Sequence, residues 1–147
     1  MSGLLEGLAQ LAADLGHGVY RRGSPYQPGE TAIVLGDIIP EPGRLVCLRA
    51  YPSGGEPDSR LPFTEPYIQW RVRGTSDEAD SRGRAQALYD DLLGWGPGEL
   101  PGGVLVLSII AVQAGPIPIG RDEQGRHEHT INTRVEHLDP TAQRPAL

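Results

Sequence analysis

Two stretches of this chain switch polarity at every step, and they constrain the fold more than anything else in it. "YIQWRVRG" (67–74) puts Ile68, Trp70 and Val72 on one side and Tyr67, Gln69, Arg71 and Arg73 on the other. "HEHTINTRVEH" (127–137) puts His129, Ile131, Thr133 and Val135 on one side and Glu128, Thr130, Asn132, Arg134 and Glu136 on the other. A period of two is the signature of an extended strand with one buried face, and no helix can bury such a pattern. Half-buried strands of this kind belong to antiparallel sheets. "TAIVLG" (31–36), "RLVCLRAYP" (44–52) and the apolar "GVLVLSIIAVQAG" (103–115) read as further strands.

Two other stretches have helical spacing. In "SGLLEGLAQLAADL" (2–15), Leu4, Leu5, Leu8, Leu11, Ala12 and Leu15 form one apolar face, with Ser2 placed to cap it and Gly16 to end it. In 75–95, Ala85, Leu88, Leu92 and Leu93 form the core stripe, and Thr75 with Glu78 makes a capping-box pattern. Asp77, Glu78 and Asp80 suit the positive end of that helix dipole. Residues 17–30, the Pro- and Gly-built turn 38–44, the long polar stretch 53–66 and the connector 94–103 separate these elements. The expected fold is therefore α+β: a mostly antiparallel sheet of four to five strands, joined by hairpins, with two helices packed on one face. Residues 1–137 read as one domain, and 138–147, which have no periodicity, as a flexible tail.

The 147 residues suit one domain with a single core. The net charge of -6 disfavours tight binding to nucleic acid, which needs arginine and lysine on phosphates. Every basic side chain is Arg, which together with the abundant Gly and Pro points to a GC-rich genome. Cys47 is the one cysteine, so neither an internal disulfide nor a cysteine zinc site is expected. No apolar run is long enough for a membrane span, and the N-terminus lacks a secretory pattern.

The chemistry concentrates in "IGRDEQGRHEHTINTRVE" (119–136). His127 and His129, two apart on a strand, point to the same side and could chelate. A zinc site needs a third protein ligand, and Ile131, Thr133 and Val135 are the neighbours there. Asp122, Gln124 and Gly125 lack the oxygen spacing of a calcium loop. No Gly-x-Ser-x-Gly elbow, phosphate loop or dinucleotide fingerprint occurs. Asp90 and Asp91 diverge by about 100° on a helix and so do not form an acid–base pair. Asp122 favours the start of a turn and Gly125 supplies its positive φ, so 116–126 is expected as a hairpin turn. No catalytic residue, metal or cofactor is implied. Arg71 and Arg73 mark either a partner surface or a solvated sheet face.

The pieces "LLEGLAQLAADLGHGVYR", "YQPGETAIVLGDIIPEPGRLVCLRAYP", "IQWRVRG", "ALYDDLLG" and "IGRDEQGRHEHTINTRVE" occur in this order over about residues 3–137. Together they resemble the minor capsid or tail terminator proteins of long-tailed bacteriophages, especially those of actinobacterial hosts. That family carries a G-x-D-x-x-G-R turn and then a polar strand with Asn. Gly120, Asp122, Gly125, Arg126 and Asn132 fill those positions, and the resemblance implies a structural hairpin in which Gly120 and Gly125 serve the turn. The resemblance further implies a non-enzymatic subunit of a ring, expected as a hexamer, on the head-proximal end of the tail tube. Its partners would be other copies of itself, the tail tube protein and a head-side connector or stopper. Genomic DNA would only pass through the lumen. The location would be the head–tail junction of the virion, and the host cytoplasm during assembly. Arg71, Arg73, Asp122 and Arg126 are the expected interface residues, the arginines pairing with carboxylates of adjacent subunits. The stretches 53–66 and 116–126 are expected to touch neighbouring rings or the tube. The competing readings are another neck protein (a stopper or head-completion protein), a non-viral binding module using its Pro-rich loops, and a metal enzyme built on His127 and His129.

Overall fold

A computed structural model of the chain describes residues 3–52 and 59–146. Its elements in order are α1 (Leu4–Asp14), β1 (Val19–Tyr20), β2 (Ala32–Leu35), β3 (Leu45–Tyr51), β4 (Phe63–Thr64) and β5 (Tyr67–Arg73). They continue with α2 (Glu78–Leu92), β6 (Gly98–Glu99), β7 (Leu105–Ala111), β8 (Ile117–Arg121) and β9 (His127–Leu138). The strands make one nine-stranded sheet in the order β1-β2-β3-β5-β9-β7-β6, with β4 and β8 also paired to β9. β1, β2 and β3 run parallel to one another, and the remaining pairs are antiparallel.

This corrects the expected fold class. The sheet is mixed and has nine strands, not a mostly antiparallel one of four to five carrying two helices on one face. The segment after β2 was expected to make a hairpin; it is a crossover that returns β3 parallel to β2. Parallel neighbours need such a crossover because the chain must come back to the same end of the sheet. The crossovers 21–31 and 36–44 lie across the sheet face opposite the helices. They bury a second small cluster there, in which Ala32, Leu45 and Cys47 pack with Tyr26, Val34, Ile38 and Ile39. Tyr26 donates its hydroxyl to the Ile33 carbonyl, and a two-bond Arg21–Glu30 pair closes the base of the first crossover.

The strand β9 organises the rest. One of its edges pairs with β5 and then β4, the other with β8 and then β7. The expected turn 116–126 is therefore narrower. Residues 117–121 are strand, and the reversal occupies 122–125, closed by the Gly125 N–H on the Asp122 carbonyl at 3.0 Å. Gly125 has φ 78° there, as the turn requires, whereas Gly120 (φ 98°) sits in β8 at the register shift after Pro118. Of the stretch 53–66, residues 53–58 lie outside the described residues, and Phe63 and Thr64 are strand. β9 runs one residue past the expected boundary at 137, and the Asp139 N–H then bonds the Pro62 carbonyl at 2.7 Å.

The main core lies between the helices and the sheet. Leu4, Leu8 and Ala12 of α1 and Ala85, Leu88 and Leu92 of α2 meet Ile33, Leu48, Trp70, Ile109, Ile131 and Val135 of the strands. Trp70 is fully buried, with its indole N–H on Thr133 Oγ1 at 3.1 Å. Ser2 lies outside the described residues, and α1 begins at an uncapped Gly3. Its other end is a Schellman motif: the Gly16 N–H bonds the Ala13 carbonyl and the His17 N–H bonds the Ala12 carbonyl. The cap of α2 is Asp77, accepting from the Ala79 N–H at 3.1 Å, and not Thr75. Thr75 cannot open the helix because its carbonyl takes the His127 N–H at 2.9 Å, which prolongs the β5–β9 ladder. Asp90 and Asp91 separate as expected on geometry: Asp90 holds Gln86, and Asp91 holds His17 at 2.6 Å, tying the end of α1 to α2.

Leu93 also leaves the expected core stripe, because the helix ends at Leu92 and Leu93 is extended and exposed. Leu92→Ala is expected to cost about 3 kcal/mol and Leu93→Ala less than about 0.5 kcal/mol. Urea unfolding followed by tryptophan fluorescence measures both, and equal costs would contradict this end to the helix.

Candidate functional site: the outer sheet face

Strand register places the outward side chains in rows that cross the sheet. From one end these are Leu45–Arg73–Glu128–Gly120, Cys47–Arg71–Thr130–Ile117, Arg49–Gln69–Asn132 and Tyr51–Tyr67–Arg134–Ile110. The first two rows lie at the end sealed by the chain's own crossovers. The last two are open.

At the sealed end Arg73 is only 3% exposed. Its Nε donates to the Gly43 carbonyl at 2.7 Å, and its Nη2 to the carbonyls of Ile39 and Pro42 at 2.8 and 3.1 Å. Burial, followed by the nearby Arg126, lowers its pKa below the ordinary guanidinium value. The carbonyl cage answers that cost with charge-assisted hydrogen bonds. Arg126 reaches the same loop from the β8–β9 turn, with Nη1 on the Pro40 carbonyl at 2.9 Å and Nε on Asp122 at 2.8 Å. The Asp122 carboxylate also accepts the N–H groups of Gln124 and Arg126 at 3.0 and 2.9 Å. Burial alone would raise its pKa, but these bonds from Arg126 and Gln124 outweigh burial and lower it. Arg71 makes a two-bond pair with the buried Glu128, both bonds 2.8 Å.

The four expected interface residues are thus gathered at one end of the sheet, and each is engaged within its own chain. Arg71 holds Glu128, Arg73 holds main-chain carbonyls, and Arg126 holds Asp122. Arg73 offers almost no surface to another subunit. The open half carries residues that sequence reasoning passed over: Tyr51 (42% exposed), Ile110 (38% exposed), Arg49, Gln69 and Arg134, beside Asn132. Asn132 Nδ2 donates to Gln113 Oε1 at 3.0 Å, the Tyr51 hydroxyl to Gln69 Oε1 at 3.4 Å, and Arg49 Nε to the Gly36 carbonyl. The signal was present in "CLRAY", where Arg49 and Tyr51 keep step with Cys47 on the side opposite Leu48 and Ala50.

The two histidines of "HEHT" differ in setting. His129 is buried against Ser81 of α2, with Nδ1 at 2.8 Å from the hydroxyl, while His127 lies at the start of β9 and is half-buried. Among the described residues no three His, Cys, Asp or Glu side chains are grouped to hold a metal. His137 is fully buried between Thr64 Oγ1 (2.8 Å) and the Leu138 carbonyl (3.1 Å). Burial lowers the pKa of both His129 and His137, so both stay neutral in the fold. Burial also pushes the Cys47 thiol up, away from the reactive thiolate.

Two outcomes follow from this geometry. Arg73→Met should cost about 3 kcal/mol by leaving buried carbonyls unpaired, and Arg73→Lys should restore only part, since one ammonium cannot span the cage. A Met variant with the wild-type urea midpoint would contradict the cage. Because the unfolded chain takes up protons on His129 and His137 before the fold does, their contribution is complete above the ordinary histidine value. It is lost as pH falls through that value toward the depressed one. The unfolding free energy should therefore drop between about pH 7.5 and about pH 5.5, at no more than about 1.4 kcal/mol per pH unit for each histidine, and the thermal midpoint should fall with it. A His129→Gln/His137→Gln chain with the same pH slope would refute this assignment.

A family model described as bacteriophage tail terminator protein matches residues 13–137, from the last turn of α1 to the last residue but one of β9. No curated protein and no solved structure matches the chain. Tail terminators are structural components of the virion. The match spans nearly the whole sheet and all of α2, and it includes the Asp122 turn and both halves of the outer face: the chain belongs to the bacteriophage tail terminator protein family.

Proposed function

We propose that this chain closes the head-proximal end of the tail tube as a ring, a hexamer in the simplest case, and joins the tail to the head. The observation that carries the reading is the open half of the outer sheet face, where exposed Tyr51 and Ile110 lie beside Arg49 and Arg134 in a tail terminator chain. Tyr51 and Tyr67 adjoin in one row, with Arg134 between them and Ile110, and a surface of aromatic, apolar and arginine side chains has the composition of a protein contact surface. The partners are further copies of the chain, the tail tube protein on one side and a head-side connector or stopper on the other. Its place is the head–tail junction, reached from the host cytoplasm during assembly. The net charge of -6 suits a channel wall along which DNA slides without binding.

Electron microscopy of particles made without this gene tests the proposal. Overlong or variable tails beside full, unjoined heads are expected. Tails of normal length beside heads that leak DNA would move the protein to the head side of the neck. Normal infectious particles would refute both placements.

A further inference from the structure

Past β9 the chain turns back on itself. The Asp139 N–H carries the ladder one step further, onto the Pro62 carbonyl at 2.7 Å. Residues 141–144 then close a tight turn. Thr141 and Arg144 exchange both main-chain hydrogen bonds, at 2.9 and 3.1 Å, and Thr141 Oγ1 accepts the Arg144 N–H at 3.1 Å. The turn aims the Arg144 side chain at the stretch before β4, where Nη1 donates to the Leu61 carbonyl at 3.4 Å. Downstream, that stretch is fixed by β4 itself: Phe63 is paired with Leu138, Thr64 Oγ1 lies 2.8 Å from His137 Nε2, and Glu65 lies 3.5 Å from Arg134. Upstream, residues 59–61 are exposed and lie in no helix or strand, and the carbonyls of Leu61 and Pro62 are both held from beyond β9.

We propose that residues 139–146 are a strap, which fixes the path of residues 59–62 on the end of β9 and adds nothing to the main core. The partition follows from burial. Between 140 and 146 only Arg144 is half-buried and the rest are exposed, and none of these residues belongs to either apolar cluster. The hydrogen bonds of Thr141 and Arg144 go to each other and to the Leu61 carbonyl. A segment held in this way opens without the core opening. While closed, it keeps Leu61 (40% exposed) in one place. The ordering cost is then met inside the chain, and a partner arriving at that point meets a side chain already placed. The strap belongs to the single chain and does not depend on the ring reading above.

Trypsin digestion of the folded chain tests this, with scission between Arg60 and Leu61 read by mass spectrometry. In a chain ended at Leu138, that bond should be cut at least about tenfold faster than in the full chain, while the urea midpoint followed by tryptophan fluorescence stays the same. Arg144→Ala in the full chain, which removes only the side-chain bond to Leu61, should raise the rate by about threefold. Equal rates in the full and shortened chains would overturn the strap, and so would an unchanged rate in the Arg144→Ala chain. A shortened chain with a lowered urea midpoint and cuts throughout the sheet would overturn it too, by placing these residues in the core.

Discussion

The fold depends on both edges of β9 being paired along nearly their whole length. The edge facing β5 continues onto β4, and the edge facing β8 continues onto β7, so one strand of twelve residues collects four partners. Its inward side chains, Ile131, Thr133 and Val135, form the floor on which Trp70 and the helices pack. Its outward ones, from Glu128 to Glu136, define the face on which assembly is proposed. A one-residue slip of β9 would exchange these sets and unmake the core and the outer face together.

The sealed half of the outer face shows how a loop without regular structure is held to a sheet. Tyr26 and the Arg21–Glu30 pair fix the first crossover, and Arg73 and Arg126 fix the second. These anchors let short crossovers join parallel strands without a covering helix. They also put two guanidinium groups on one loop, with Asp122 and Glu128 close by to balance them.

Much of the strand content was legible in the sequence, because alternation over 67–74 and 127–137 reports burial directly. Both helices were legible from their apolar stripes, apart from end residues such as Leu93 and Thr75. The parallel pairing of β1, β2 and β3 was not. "IIPEPGR" has the composition of a tight turn, and the groups that convert it into a crossover, Arg73 and Arg126, lie about thirty and eighty residues further on. The short strands β4, β6 and β8 were hidden because each exists only as a completion of an edge of β7 or β9. At the candidate site the sequence pointed to arginines, and the structure distinguishes the ones that build the fold from those left facing outward. That distinction depends on which rows the crossovers cover, and no local pattern carries it.

The cage around Arg73 has a bearing on how such a chain can diverge. Among the described residues every bond it makes goes to a main-chain carbonyl, of Ile39, Pro40, Pro42 or Gly43, and none to a side chain. Any sequence that keeps the backbone path of residues 39–43 keeps the anchor. The anchor itself asks nothing of the loop's side chains, although Ile38 and Ile39 still pack in the second cluster. Two relatives could share these individual hydrogen bonds while the letters around them drift apart, with the guanidinium at the far end and the apolar pair beside it held fixed.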